Sequence, residues 1–295
     1  MARCFVTRKL PGSALDRLRA AHDTDVWLGG LPPSREELID HAREAEGLVC
    51  LLTDTIDADV IAACPRLRAI SNYAVGSDNI DAQAAAERGI EVAVTPDVLT
   101  DTTADLAFAL MLAMARRLPD GERAVREGKW RTWEPSGWLG QDVHGATLAV
   151  VGPGRIGEAV ARRAEAFSMD VLRLGRGDPL EPALARADFV SIHCPLTDET
   201  RGMFGEAEFA AMKPTGILVN TARGPIVQTD ALRSALIDGV IGGAALDVTD
   251  PEPLPPDHPL FEAPNLLVVP HIGSATHRTR ERMADLAVDN LLAAL

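Results

Sequence analysis

Gly152-Pro153-Gly154-Arg155-Ile156-Gly157 ends an apolar strand pattern, Thr147 to Val151, and opens a helical one, Glu158 to Phe167. A turn of this kind can hold a pyrophosphate. Its first glycine permits the tight turn, its second lets the backbone approach the phosphates, and its third lets helix pack on strand. The free N–H groups at the start of the following helix point at the anion. Three later stretches put ionisable side chains just past strand patterns: Arg223 in ILVNTARGPIV, Glu252 in LDVTDPEPLPPDHPL and His271 in VVPHIGSAT. Open parallel sheets bind ligands beyond those strand ends. An Arg fork can grip a carboxylate and a neighbouring carbonyl with two charge-assisted bonds. A His can give a proton to an oxygen that is gaining negative charge, and a carboxylate beside it orients the ring and favours its charged form. Taken singly, these are a solvated charge, an exposed Glu between prolines and a structural His. Beside a dinucleotide turn they are what hydride transfer to a 2-oxo acid requires.

The elements that must position these groups alternate, short strands with helices, which is the pattern of parallel-sheet α/β domains. Cys4–Val6, Val26–Leu28, Leu48–Leu52, Ala69–Ser71 and Val92–Val94 read as strands, with helices at Gly12–Ala21, Ser34–Ala45 and Asp81–Arg88. They make one five-stranded doubly wound unit without a glycine fingerprint. Asp101 to Leu118 is the longest helical pattern, capped by Thr100 or Asp101, apolar nearly all round and ended by Pro119. Gly121 to His144 has little regular pattern and carries three of the four tryptophans, Trp130, Trp133 and Trp138. The second unit opens at the glycine turn, with later strands at Asp170–Leu174, Phe189–His193, Ile217–Asn220, Ala244–Asp247 and Leu267–Val269. Asp250 to Pro264, with six of the twenty prolines, reads as a loop, and His277 to Leu295 as a final helix.

At 295 residues the chain can bury two cores. The net charge of −14 argues against nucleic-acid and anionic-membrane surfaces. No run approaches the roughly 20 apolar residues of a membrane span, and MARCFVTRKLPGSAL does not read as a signal peptide. Cys4, Cys50, Cys64 and Cys194 lack metal-ligand spacing and read as small buried hydrophobes of a reduced, cytoplasmic protein. No metal site is expected.

NYAVGSDNID (Asn72–Asp81), GPGRIG, NTARG (Asn220–Gly224), LDVTDPEP (Leu246–Pro253) and PHIGSAT (Pro270–Thr276) together span nearly the whole chain. With them the sequence resembles the D-isomer-specific 2-hydroxyacid dehydrogenases, and among these the glyoxylate/hydroxypyruvate reductases. The resemblance implies two doubly wound parallel-sheet domains. One is a flavodoxin-like substrate domain of residues 1–97 plus 271–295, the other a Rossmann cofactor domain of residues 98–270, closing over a cleft. It implies a homodimer that reduces a small 2-oxo acid, with Arg223, Glu252 and His271 as the catalytic trio. Leu52, the N–H groups of Val75 and Gly76, and Arg223 would meet the substrate. Trp138, on a dimer arm, would reach the partner's site or merely pack the interface. The cofactor would meet Gly152, Gly154, Arg155, Ile156, Gly157, Gly175, Arg176, Cys194, Pro195, Thr221, Asp247 and Gly273, with Asp247 bonding the carboxamide.

An acidic residue after the second strand of such a unit selects NAD, and an Arg there accepts the 2′-phosphate of NADP. VLRLGRGDP places Gly175 and Arg176 at that position, which favours NADP(H) over NAD(H). The alternative is that Asp178 swings back to the ribose and makes an NAD enzyme. The link from Leu174 to Phe189 is shorter than in relatives, and Gln228 replaces an acidic residue, read here as a change of helix cap. Other 2-hydroxyacid dehydrogenases stay open, a phosphoglycerate dehydrogenase among them, although no long C-terminal regulatory region follows. Less favoured is a non-catalytic, NAD(H)-sensing relative of the C-terminal-binding-protein corepressors.

Overall fold

The computed structural model describes all residues, 1–295, and the chain folds as two compact units, Met1–Leu99 with Ser274–Leu295, and Thr100–Gly273. The strands are β1 (Arg3–Val6), β2 (Asp23–Val26), β3 (Gly47–Cys50), β4 (Ala69–Asn72), β5 (Glu91–Ala93), β6 (Thr147–Val151), β7 (Asp170–Leu174), β8 (Phe189–Ile192), β9 (Ile217–Asn220), β10 (Gly243–Leu246) and β11 (Leu266–Val268). The helices are α1 (Ala14–Ala21), α2 (Arg35–Ala42), α3 (Ala58–Ala63), α4 (Ala82–Glu87), α5 (Thr100–Ala115), α6 (Leu118–Arg126), α7 (Arg155–Ala166), α8 (Glu181–Leu184), α9 (Glu206–Ala211), α10 (Thr229–Ile237) and α11 (His277–Ala294).

The first unit is a parallel sheet in the order β2-β1-β3-β4-β5. Its central strands are buried on both faces, as a parallel sheet covered by helices requires. Polar residues start the helices: Ser34 and Glu37 form a reciprocal capping box on α2, while Asp57 and Asp81 accept from the first turns of α3 and α4. The C-terminal helix α11 belongs to this sheet. It buries Met283, Ala284, Ala287, Val288 and Leu291, and burying one such Val or Leu is worth about 1.5–3 kcal/mol. Ser71 donates to the Ala287 carbonyl at 2.7 Å and Asn290 to that of Val94 at 3.0 Å. This helix lies close on β3: a Cβ on Gly47 would come within 3.1 Å of the Leu291 side chain.

The second unit is a six-stranded parallel sheet in the order β11-β10-β9-β8-β6-β7. Alternation sorts its strands between two cores: Ala149 and Val151 pack with Val190, Ile192 and Leu218 on one face, Leu148 and Val150 with Phe108, Met111 and Val160 on the other. The long apolar helix pattern breaks earlier than its sequence suggests. α5 stops at Ala115, Arg117 turns left-handed at φ +51°, and Pro119 sits in the first turn of α6 rather than ending a helix. Asp101 does not cap α5; its carboxylate faces Arg163 of α7 at 3.3 Å. α3, Ala58–Ala63, has no counterpart among the helices expected from sequence. Between β7 and β8 only the single turn α8 remains.

The units divide after Leu99 and after Gly273, not after residues 97 and 270. His271 therefore sits with the glycine-turn sheet, because its backbone N–H is bonded to the carbonyl of Asp247 at 2.9 Å.

Candidate active site

Local rules build the glycine turn. Gly152 stands at φ +89°, and a Cβ on it would come within 2.4 Å of the Cys194 nitrogen. A Cβ on Gly157 would lie 2.4 Å from the Gly152 carbonyl oxygen, whereas one on Gly154 would meet nothing within 4 Å. Two glycines thus serve packing, and the middle one leaves open backbone in front of α7, whose first-turn N–H groups have no intrahelical acceptor. Thr221, at the end of β9, keeps a buried hydroxyl with no protein partner. Open backbone, a helix start and an orphan hydroxyl fit a bound dinucleotide. Cys194 departs from expectation: Cys4, Cys50 and Cys64 are buried, but Cys194 is only partly so, and desolvation pushes its thiol up to about 11.

Beyond the other strand ends, the loops after β9, β10 and β11 interlock. Asn220, fully buried, accepts from the Ala222 N–H at 3.0 Å and donates to the Arg223 carbonyl at 2.9 Å. A Cβ on Gly224 would lie 1.9 Å from the Thr249 carbonyl oxygen, so only glycine lets the Arg223 loop press on the loop that carries Glu252. The Thr249 N–H reaches Glu252 Oε2 at 3.4 Å. Glu252 Oε1 lies 2.5 Å from His271 Nδ1, both side chains being partly exposed.

His271 stands at φ +50°, in the left-handed region. Asp247 holds it there. The Asp247 carbonyl takes the His271 N–H, and its carboxylate accepts from the N–H groups of Ile272 at 2.6 Å and Gly273 at 2.8 Å. Burial raises the pKa of this carboxyl above the usual carboxylate range, while those N–H bonds and His271 oppose the rise. Each Asp247 oxygen thus accepts one N–H of the His271 loop. Asn220, Asp247 and Thr249 are the positioning groups that sequence reasoning missed or assigned elsewhere. Their signal is polar side chains at or just past the ends of apolar strands, Asn220 closing β9 and Asp247 and Thr249 following β10.

A second histidine ends a strand of the same sheet. His193 sits beside Ser191, Nε2 to Oγ 2.8 Å, and burial lowers its pKa to about 4. Its ring is therefore held in the neutral form at neutral pH.

The turn after β7 carries both residues that bear on the choice of cofactor, Arg176 and Asp178. Asp178 Oδ2 accepts the Gly175 N–H at 2.8 Å, so its carboxylate closes the turn instead of swinging outward. Arg176 pairs with Glu199, and its side chain is 83% exposed. Gln228 is the N-cap residue of α10, so the change does fall at the helix cap; its side chain makes no capping bond and donates instead to the Gly202 carbonyl at 2.8 Å.

In the first unit, Leu52 and Val75 follow the adjacent strands β3 and β4, and each is 37% exposed. Trp138 does not join the trio of its own chain. It stands at φ +58° on the rim of a cavity of about 680 Å³ that Met114, Phe261 and Leu266 also line. Ile217 and Gly242 open onto the same cavity, at the amino-terminal side of the sheet, opposite Arg223 and His271.

Residues 108–273 match the family described as "D-isomer specific 2-hydroxyacid dehydrogenase, NAD binding domain". A glyoxylate reductase of Korarchaeum cryptofilum is 49% identical over 99% of this chain and 92% of its own length. The chain belongs to the D-isomer-specific 2-hydroxyacid dehydrogenases. It is an oxidoreductase with an NAD(P)-binding domain. Solved members have the same architecture. The TT0316 protein of Thermus thermophilus superposes with a TM-score of 0.92 at 50% identity, covering 99% of this chain and 96% of that one. An NADPH-dependent glyoxylate/hydroxypyruvate reductase of Sinorhizobium meliloti, solved with NADP and malonate, gives 0.87 at 33% identity over 99% and 93% of the two chains. No helix of this family member is long and apolar enough to cross a membrane.

Proposed function

We propose that the chain reduces small 2-oxo acids, glyoxylate and hydroxypyruvate foremost, to D-2-hydroxy acids with NAD(P)H. The observation that carries this reading is the 2.5 Å contact of His271 with Glu252 on loops locked to the Arg223 loop. Dihydronicotinamide, when bound, supplies hydride to the carbonyl carbon. Arg223 grips the substrate carboxylate and polarises its carbonyl. His271 gives its Nε2 proton to the carbonyl oxygen as charge builds there, and Glu252 on Nδ1 fixes the tautomer and supports the charged ring. Val75 and Gly76 offer backbone N–H groups to the carboxylate, and Leu52 forms an apolar wall. Gly152, Gly154, Arg155, Ile156 and Gly157 hold the pyrophosphate, while Gly175, Cys194, Pro195, Thr221, Asp247 and Gly273 line the rest of the cofactor site.

The cofactor is NADPH in preference to NADH, through Arg176. An exposed pair such as Arg176–Glu199 is worth little, which leaves the guanidinium free to take a 2′-phosphate, and Asp178 is committed to its own turn. The test is a steady-state panel of 2-oxo acids with both cofactors, followed by loss of nicotinamide absorbance. Glyoxylate and NADPH turn over, and Arg176→Ala lowers the NADPH-to-NADH ratio of kcat/KM by about 10–100-fold, the worth of a charged hydrogen bond. An unchanged ratio overturns the assignment to Arg176, and no turnover of any 2-oxo acid overturns the activity.

The reading extends to a cytoplasmic homodimer that binds neither nucleic acid nor membrane. Four free cysteines and a net charge of −14 agree with that setting. Trp130, Trp133 and Leu139 stand exposed beside Trp138 on the 127–146 arm, an apolar surface of the kind a partner covers. Sedimentation velocity gives the mass of two chains, and Trp133→Glu with Leu139→Glu shifts it to one; a monomeric wild type removes the dimer and the role of Trp138 with it.

A further inference from the structure

A polar brace ties together the two loops of the first unit that carry Leu52 and the Val75–Gly76 turn. Asn79 sits between them, next to the bridge that pairs Ile56 with Ile80. Its Nδ2 donates to the carbonyls of Leu51 at 3.0 Å and Asp54 at 2.9 Å, both on the loop after β3. Its Oδ1 accepts from Asn72 Nδ2 at 2.9 Å, and the same Asn72 amide donates to the Gly76 carbonyl at 2.8 Å. The Leu51 N–H is fixed from the other side by Asp54, whose carboxylate also takes the Thr7 hydroxyl at 2.5 Å. Asp54 and Asn72 are buried, so these bonds are shielded from water. Both polar groups of Leu51, immediately before Leu52, are therefore held, and so is the carbonyl of Gly76. With that carbonyl tied inward by Asn72, the turn keeps one orientation.

We infer that Asn79 is a specificity-determining positioning residue: it sets the separation between the apolar wall at Leu52 and the anion-binding turn at Val75–Gly76, and so the length of 2-oxo acid accepted. The inference rests on the reading that Leu52 and this turn meet the substrate. Asn79 touches no substrate atom and acts through the two loops.

The test is a double-mutant cycle in the full-length protein, with glyoxylate and 2-oxobutyrate as substrates and NADPH in both cases. Asn79→Ala raises the KM for glyoxylate by about tenfold and moves the glyoxylate-to-2-oxobutyrate ratio of kcat/KM toward the longer acid, as expected when a small misplacement widens a pocket. The KM for NADPH does not move. In a Leu52→Ala background, Asn79→Ala adds little further change to the ratio, because the wall it positions is gone. Additive shifts in the double variant overturn the inference, as does an unmoved ratio in Asn79→Ala while Leu52→Ala moves it. A ratio that Leu52→Ala leaves unmoved overturns the pocket reading, and the inference falls with it. Should Asn79→Ala not fold, the isosteric Asn79→Asp carries the same test, since it turns the donors facing two carbonyls into acceptors.

Discussion

His271→Ala lowers kcat for glyoxylate reduction by about 10²–10⁴-fold, the usual share of a positioned general acid, while NADPH binds as before. The loss corresponds to about 3–5 kcal/mol of transition-state stabilisation. Its size follows from the absence of a substitute: His193 is held neutral by a pKa of about 4, and burial keeps the proton of Cys194 bound up to about 11. The side chain is partly exposed and its loop is held through backbone bonds to Asp247, so truncation leaves the fold intact. Fluorescence titration with NADPH and steady-state kinetics read the two quantities separately. Turnover within a few-fold of wild type, with cofactor binding retained, removes His271 from the role of proton donor.

Arg223→Ala lowers kcat/KM for 2-oxo acids by about 10²–10⁴-fold and leaves the KM for NADPH unchanged. Two charge-assisted bonds, each worth about 1.5–3 kcal/mol, set that range. Arg223→Lys recovers only part of the loss, since an ammonium restores the charge and not the planar fork. The Arg223 guanidinium donates to the Ala222 carbonyl at 2.8 Å, but two other anchors of this loop remain when it is removed, Asn220 on the Arg223 carbonyl and the close seat of Gly224 on Thr249. The variant therefore tests the guanidinium rather than the loop. A kcat/KM for glyoxylate equal to that of the wild type excludes Arg223 from substrate binding.

What could be read in advance follows how local each cause is. The strands were legible because buried parallel strands are short apolar runs, and β7 and β9 fall on the expected residues. The glycine turn was legible because φ +89° at Gly152 and the close approach at Gly157 are demands on single residues. The break between α5 and α6 was not, because proline tolerates the first turn of a helix as well as it ends one. Their place just past apolar strand patterns singled out Arg223, Glu252 and His271, and the family resemblance then implied that the three act together.

By itself the sequence determined the fold class, the family and the identity of the ionisable groups, all of which depend on residue type and short-range spacing. Tertiary structure alone decided which groups meet. His271 and Glu252 are 19 residues apart and lie 2.5 Å from each other only because the loops after β10 and β11 stack at one edge of a sheet. Asp178 closes its own turn, Asp247 serves the His271 loop rather than standing free, and Asn79 spans two loops after neighbouring strands. Each depends on where a side-chain oxygen or nitrogen finds its partner, and with several backbone groups in reach only the packed chain selects one.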